Sequence, residues 1–220
     1  MLLNSTILRR ISPIRHLRSF SSISSWNYDV LICGGGVTGL SLASELLRLT
    51  KGNIKIGVIE PRTSIITLQS LLSKSLPDKR VYALSPKSIE FYKTLGVWSA
   101  IEQRTQTYNT IQVWEQKGPG MLKFTSKDLN TTELGRICED IALQATLYDY
   151  LINNYSNQID FLFNTSVTNV VVESSKDGTY FTEPAIVTCN TLNKVDKTST
   201  QTTLKCRFVN STRLILYSTI

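Results

Sequence analysis

The sequence of 220 residues contains one histidine, His16, and four cysteines that form no Cys-x-x-Cys pair. Beyond position 16 the chain therefore has no histidine for a Ser-His-Asp or Cys-His arrangement, and no imidazole to bind zinc. We interpret the cysteines as small buried residues or free thiols, at positions 33, 138, 189 and 206. We predict no metal site, and if the protein is an enzyme, a cofactor must supply its chemistry.

Acidic residues are missing from the first 28 positions, which are rich in serine and contain four arginines, Arg9, Arg10, Arg15 and Arg18. This composition is typical of a mitochondrial presequence, which we assign to residues 1–27, with cleavage predicted after Phe20. A disordered tail and a secretory signal are the alternatives. The arginines interrupt the apolar run that a secretory signal needs, so we favour mitochondrial import.

The net charge of +7 falls to +3 without those four arginines (7 − 4 = 3). No basic patch with interleaved aromatic residues is left, which argues against a nucleic-acid partner. The sequence also has no run of about 18 apolar residues, the length that a membrane-spanning helix requires. We therefore expect the mature protein to be soluble or peripheral to a membrane.

The stretch from Tyr28 to Glu60 has the pattern of a strand, a glycine-rich turn, a helix and a second strand. The apolar runs Val30–Cys33 and Ile54–Ile59 are suited to buried parallel strands. Between them, the apolar residues from Leu40 to Leu49 have helical spacing, and Lys51-Gly52 ends the helix. This order is that of a dinucleotide-binding unit.

The turn carries the G-x-G-x-x-G pattern at Gly34, Gly36 and Gly39, and we include Gly35 among the cofactor-binding candidates. Gly36 would let backbone N–H groups approach a pyrophosphate at the helix N-terminus, and Gly39 would let the helix pack closely. Glu60 would accept from the hydroxyls of an adenosine ribose and repel a 2′-phosphate. The pattern leaves FAD and NAD open.

The rest of the sequence predicts short elements of both kinds. They are, in order, a polar connection over Pro61–Lys79, a helix over Pro86–Leu95 capped by Ser85 and ended at Gly96, a short helix to about Gln103, a hairpin over Asn109–Phe124, a strand over Leu134–Cys138, a helix capped by Asp140, strands over Ile159–Phe163 and Val167–Glu173, a turn at Lys176–Gly178, a strand over Ala185–Cys189, a solvent loop over Asn190–Thr203 and a strand over Leu204–Val209.

With those segments placed, the chain resembles the flavin-dependent hydroxylases of ubiquinone biosynthesis in their mitochondrial form. The resemblance rests on four blocks, Tyr28–Leu40, Arg80–Pro86 with Leu95–Trp98, Ile111–Trp114, and Leu134–Asp140 followed by Leu143–Ala145. It implies an α/β fold, with an FAD-binding Rossmann-like domain similar to glutathione reductase and parts of a mixed β substrate domain. It also implies that Arg80 approaches the FAD, and that Asp140 and Gln144 lie near it.

The activity implied by the resemblance is that of an FAD-dependent aromatic monooxygenase, although no catalytic residue can be assigned. The implied substrates are O₂ and a polyprenylated 4-hydroxybenzoate, hydroxylated at ring C5. Electrons would come from ferredoxin and its reductase. The protein would lie on the matrix face of the mitochondrial inner membrane, within a ubiquinone-biosynthesis complex. An NAD-dependent dehydrogenase or reductase, and a non-catalytic dinucleotide-binding assembly module, are the alternatives.

The resemblance also predicts how the chain is divided. Residues 28–105 and 131–209 would form two parts of the FAD-binding domain, residues 106–130 a substrate-side hairpin, and residues 210–220 a tail foreign to the family. The family's second FAD motif, Gly-Ala-Asp-Gly, and its later Gly-Asp motif do not follow Leu204. We therefore expect both domains to be incomplete at the C-terminus and the chain as it stands to be inactive.

Overall fold

A computed structural model of the protein describes residues 27–73, 76–172 and 185–211. Its first elements alternate between strands and helices, and its last four are strands. They are β1 (Tyr28–Cys33), α1 (Val37–Thr50), β2 (Ile56–Glu60), α2 (Leu68–Leu72), β3 (Val81–Leu84), α3 (Pro86–Thr94), α4 (Trp98–Glu102), β4 (Thr105–Tyr108), β5 (Thr110–Trp114), β6 (Met121–Thr125), β7 (Gly135–Glu139), α5 (Asp140–Tyr155), β8 (Ile159–Phe163), β9 (Thr165–Val172), β10 (Ala185–Leu192) and β11 (Ser199–Ser211).

The main sheet has six strands in the order β8-β2-β1-β11-β10-β9. Strands β8, β2, β1 and β11 pair in parallel with one another, whereas β10 pairs antiparallel with both β11 and β9. A parallel sheet is covered on both faces, which explains why β1 and β2 are apolar along nearly their whole length. The predicted α/β fold class is confirmed.

Helices α1 and α5 cover one face of this sheet. The core there contains side chains that are wholly buried, including Ile32, Leu40, Val58, Leu143 and Leu147. Fully burying such a side chain contributes about 1.5–3 kcal/mol. The packing therefore holds β1, α1 and β2 rigidly around the glycine-rich turn.

A second apolar cluster joins β1 to the β9–β11 meander and contains Cys33, Cys189 and Cys206. Burial, followed by the neighbouring thiols, raises the pKa of Cys33 to about 11. Burial likewise raises the pKa of Cys206 to about 11 and that of Cys138, in the other core, to about 12. All four cysteines are free and buried, as predicted, so these thiols are protonated at neutral pH and act as packing residues.

Two smaller sheets complete the described part of the chain. Strands β3, β7 and β4 form an antiparallel sheet in that order, and β5 and β6 form a hairpin on their own. The predicted hairpin is confirmed; β4 was not predicted. Within the described ranges, no helix is long and apolar enough to cross a membrane.

Two predicted connections contain regular structure. The polar connection Pro61–Lys79 includes helix α2, because Thr67 accepts a hydrogen bond from the Ser70 N–H and Leu71 is fully buried. The predicted loop Asn190–Thr203 consists mostly of paired β10 and β11. Threonine is β-branched and suits a strand, so polarity alone was a poor indicator of a loop here.

Some predictions lie outside the described residues: the presequence and its cleavage site, apart from Asn27, and the turn at Lys176–Gly178. The predicted tail starts at residue 210, but Asn210 and Ser211 continue β11 and pair with Ile32 and Cys33. Residues 212–220 are not described.

Candidate functional site

The glycine-rich turn has the geometry that its sequence predicts. Gly34 has a φ of 117°, a conformation that strongly favours glycine, and its N–H donates to the Ile59 carbonyl oxygen at 2.8 Å. A Cβ atom on Gly39 would collide with the Gly34 carbonyl oxygen. Both glycines therefore serve the tight turn and the close packing of α1 against it.

Gly36 faces open space, since a Cβ atom added there would meet no atom within 4 Å. It precedes α1, whose first turn contains no acidic residue. Unpaired N–H groups and the helix dipole favour an anion at such an end. The turn thus has room and electrostatics that fit the pyrophosphate of FAD.

Glu60 ends β2, and its side chain is only 6% exposed. One carboxylate oxygen, Oε2, accepts from the Gly35 N–H at 2.7 Å, and the other, Oε1, accepts from the Arg62 N–H at 2.9 Å. These two backbone donors fix the carboxylate beside the glycine-rich turn. The structure therefore brings together Glu60 and Gly35, two of the candidate cofactor-binding residues.

Arg62, which the sequence analysis missed, binds the same carboxylate with its side chain. Its Nε donates to Glu60 Oε1 at 2.8 Å and its Nη2 to Glu60 Oε2 at 3.2 Å. Nη2 also donates to the Gly35 carbonyl oxygen at 3.0 Å. The arginine two residues after the strand-end glutamate was the only available signal.

The ionised form of Glu60 is favoured in this setting. Burial raises the pKa of the carboxyl, but hydrogen bonds from the Arg62 side chain and N–H and from the Gly35 N–H outweigh it, so that the pKa lies below the ordinary 4.5. Glu60 is therefore a carboxylate at neutral pH, the form that hydrogen-bond donors stabilise.

The contacts of Arg62 extend to the start of α5. Its Nη1 donates to Gln144 Oε1 at 2.8 Å, and Gln144 Nε2 donates to Asp140 Oδ1 at 2.7 Å. The Arg80 guanidinium then forms a 3.3 Å ion pair with Asp140. A continuous chain of polar contacts thus joins Glu60 to Arg80.

Our prediction that Asp140 caps α5 is wrong, because Asp140 is the first residue of the helix. The cap position is Glu139, which makes no side-chain capping bond. The Asp140 carboxylate is occupied by Gln144 and Arg80 instead. The Asp140 N–H donates to the Arg80 carbonyl oxygen at 3.0 Å. These contacts place the 71%-exposed Arg80 side chain at the mouth of the site.

A cavity of about 1140 Å³ lies along this chain of contacts and is lined by Arg62, Arg80, Asp140 and Gln144, among others. Glu60 is not among its lining residues. Arg62 contacts both Glu60 and the cavity, so its guanidinium stands between the carboxylate and the open volume. Among the described residues, no group of three or more His, Cys, Asp or Glu could hold a metal ion.

The sequence profile of the family described as FAD binding domain matches residues 27–209. The chain belongs to this family. The match favours FAD over NAD, the choice that the glycine pattern alone left open. The roles of Gly34, Gly35, Gly36, Gly39, Glu60 and Arg80 in binding it stay predictions, although the geometry described above is compatible with them.

Known relatives are similar over much of this chain. It is 28% identical over 162 residues to a mitochondrial ubiquinone biosynthesis monooxygenase COQ6 of Dictyostelium discoideum, covering 66% of this chain and 32% of that protein. It is 31% identical over 124 residues to the 3-demethoxyubiquinol 3-hydroxylase of Escherichia coli K12, covering 56% and 30%. The chain thus spans about a third of the length of these relatives.

A solved structure supports the fold. The p-nitrophenol 4-monooxygenase of Pseudomonas putida DLL-E4 superposes with a TM-score of 0.55 at 15% identity, covering 83% of this chain and 40% of that one. At this identity the likeness concerns the fold alone. The superposition thereby supports the fold that the resemblance implied.

Proposed function

We propose that this chain is the FAD-binding part of an FAD-dependent aromatic hydroxylase of mitochondrial ubiquinone biosynthesis. The main support is the family match over residues 27–209, together with relatives that are named as ubiquinone-biosynthesis hydroxylases. The relatives named as mitochondrial support the same compartment for this protein. The acid-free N-terminus with its arginines is consistent with import.

In this proposal, the residues of the described site hold the cofactor. The open side of Gly36 and the start of α1 bind the pyrophosphate, and Glu60 accepts from the ribose. Arg80, which lines the cavity and is paired with Asp140, approaches the cofactor from there. When bound, the flavin supplies the activation of O₂ and the transfer of one oxygen atom to a phenolic ring.

The finer parts of the proposal rest on the resemblance. The substrate would be a polyprenylated 4-hydroxybenzoate hydroxylated at ring C5, and electrons would come from ferredoxin and its reductase. The protein would act on the matrix face of the inner membrane, within a biosynthetic complex. We also propose that the β5–β6 hairpin belongs to the substrate side, and residues 28–105 and 131–209 to the FAD-binding side.

Two rival functions are separable from this one. An NAD-dependent dehydrogenase would share the glycine turn and Glu60, but the family match favours FAD. A non-catalytic module would keep the fold and use the site for assembly alone. Because the chain spans about a third of its relatives, hydroxylase activity itself is proposed for the whole protein and not for this segment.

A titration with FAD of the purified chain, extended to the full length of its relatives, tests the cofactor assignment. We expect quenching of flavin fluorescence with saturable binding, and competition by ADP, which carries the ribose and the pyrophosphate. NADH, titrated in parallel, should bind more weakly. Tight NADH binding with no FAD binding would contradict the proposal and favour the dehydrogenase.

A further inference from the structure

The Glu60 carboxylate has no acceptor position left for a ligand. An ionised carboxylate offers about four lone-pair sites, and here each oxygen accepts one backbone and one side-chain hydrogen bond. The backbone donors are the N–H groups of Gly35 and Arg62. The side-chain donors are Nε and Nη2 of Arg62.

The Arg62 guanidinium binds Glu60 as a fork, with one N–H directed to each oxygen. A ribose diol that binds a carboxylate has the same pattern of one hydroxyl donor for each oxygen. A ribose can therefore bind Glu60 only if both Arg62 side-chain bonds are given up. The two backbone bonds need not change.

Arg62 is placed so that it could move. Its side chain is 47% exposed and lines the large cavity, whereas the Glu60 side chain is 6% exposed. Its other partners are the Gly35 carbonyl oxygen and Gln144, and Gln144 lines the same cavity. No displacement of β2 or α1 is needed for the exchange.

We propose that Arg62 is an internal competitor for the adenosine ribose, whose guanidinium fork occupies Glu60 until the two ribose hydroxyls replace it. Arg62 is thus a positioning residue that sets how strongly the site recognises the diol. The inference rests on the proposed function, because it requires that this site binds an adenine nucleotide.

The exchange has a measurable consequence. In the wild-type protein each ribose hydroxyl gains one bond to Glu60 and displaces one from Arg62, so a missing hydroxyl has little effect on affinity. Without the guanidinium fork, each hydroxyl contributes a hydrogen bond to a charged acceptor that only water would otherwise satisfy. Removal of Arg62 should therefore increase discrimination between ADP and 2′-deoxy-ADP.

Isothermal titration calorimetry of the full chain with ADP and with 2′-deoxy-ADP tests this. The two probes carry the same phosphates, so changes in overall charge cancel in the ratio of their dissociation constants. We expect a ratio near one for the wild type and an increase of about tenfold in Arg62→Ala, the equivalent of one hydrogen bond to a charged group. Arg62→Lys, which keeps the charge but lacks the fork, should give an increased ratio as well.

Lys79→Ala is the matched control, since Lys79 is a cation lining the same cavity. It should weaken both probes alike and leave their ratio unchanged. If ADP binds but the ratio is the same in the wild type, Arg62→Ala and Arg62→Lys, the inference is wrong while the cofactor site stands. If neither probe nor FAD binds to any variant, the proposed function fails, and the inference fails with it.

Discussion

The glycine-rich turn and the β5–β6 hairpin are both short local structures that the sequence predicts, yet they differ in what surrounds them. Around the turn, Ile32 and Leu40 are wholly buried and the Glu60 carboxylate is fully hydrogen-bonded. On the hairpin, one face consists of four apolar side chains that are 41–61% exposed, those of Ile111, Val113, Leu122 and Phe124.

This difference shows that a sequence can specify the pairing of two strands without specifying the burial of their apolar side chains. Alternation and a turn are enough to form a hairpin. Burial of its apolar face requires partners from elsewhere, and the turn has these in α5, β2 and β11. Substitutions should therefore have large effects at the turn and small ones on the hairpin.

The largest effect is expected from Gly39→Ala. The added Cβ atom would collide with the Gly34 carbonyl oxygen, a backbone atom that β1 and α1 hold in place. We expect a loss of about 3 kcal/mol in the free energy of unfolding, at the upper end for an overpacked site. Urea denaturation followed by circular dichroism measures it.

Gly36→Ala is the matched control, because its Cβ atom meets nothing within 4 Å and its φ of −78° suits any residue. The free energy of unfolding should change by less than about 1 kcal/mol, the range of N-cap and glycine-to-alanine effects. Equal losses in the two variants would contradict the packing argument.

The next largest effects are expected on the affinity for FAD when residues of the glycine-rich turn or Glu60 are substituted. Glu60→Ala should weaken FAD binding, but by less than the about 1.5–3 kcal/mol expected for hydrogen bonds to a charged acceptor, because in the wild type the ribose hydroxyls replace bonds from Arg62. Gly36→Val should weaken it more, since its side chain would fill the space open to the pyrophosphate. Fluorescence titration of a chain extended to the full length of its relatives measures both, and unchanged affinities would refute the assignment of these residues.

The pH dependence of stability should show a smaller effect. The pKa of Glu60 in the folded protein lies below its ordinary value of 4.5, so its stabilising contribution is complete above that value. It is lost as the pH falls through the lowered pKa of the folded state. Urea unfolding at pH 7 and at several values below 4.5 should therefore show a steeper loss for the wild type than for Glu60→Gln.

Arg62→Ala provides the comparison for that experiment. The Arg62 side chain is the largest of the hydrogen-bonding causes that lower the pKa of Glu60. Its removal should bring the acid dependence closer to that of Glu60→Gln. If the wild type and both variants lose stability in parallel as the pH falls, Glu60 is not held by the hydrogen bonds described above.

Much of the structure around the glycine-rich turn and α3 could be predicted from sequence because its signals are local. Glycines that a tight turn needs, apolar strands and the Ser85 cap of α3 each follow from a few adjacent residues, and the structure has them. The Ser85 hydroxyl accepts from the Ser88 N–H at 3.2 Å, as a capping serine should.

The parts that the sequence did not predict depend on distant partners. Arg62 is held on Glu60 with the help of Gln144, which is 82 residues away, and α2 is held by the burial of Leu71. Asp140 was taken for a cap because aspartate favours that position, but Arg80 and Gln144 compete for its carboxylate. Contacts between side chains that are this far apart in the chain produce no periodic pattern in a single sequence.

The smallest effect is expected on the hairpin. Leu122→Ala removes a side chain that is 61% exposed, so little apolar surface returns to water and no cavity forms. We expect the free energy of unfolding to change by less than about 0.5 kcal/mol, as for other surface substitutions. Leu143→Ala, a matched substitution in the buried core, should cost about 2–5 kcal/mol.

In a chain extended to the full length of its relatives, Leu122→Ala separates two views of the hairpin. If further residues cover its apolar face, as the proposed substrate side requires, the loss there should rise to about 2 kcal/mol or more, the range of buried leucines. A loss still below about 0.5 kcal/mol would mean that the face stays exposed to solvent. The proposed place of the hairpin on the substrate side would then be wrong, while the FAD-binding side would be unaffected.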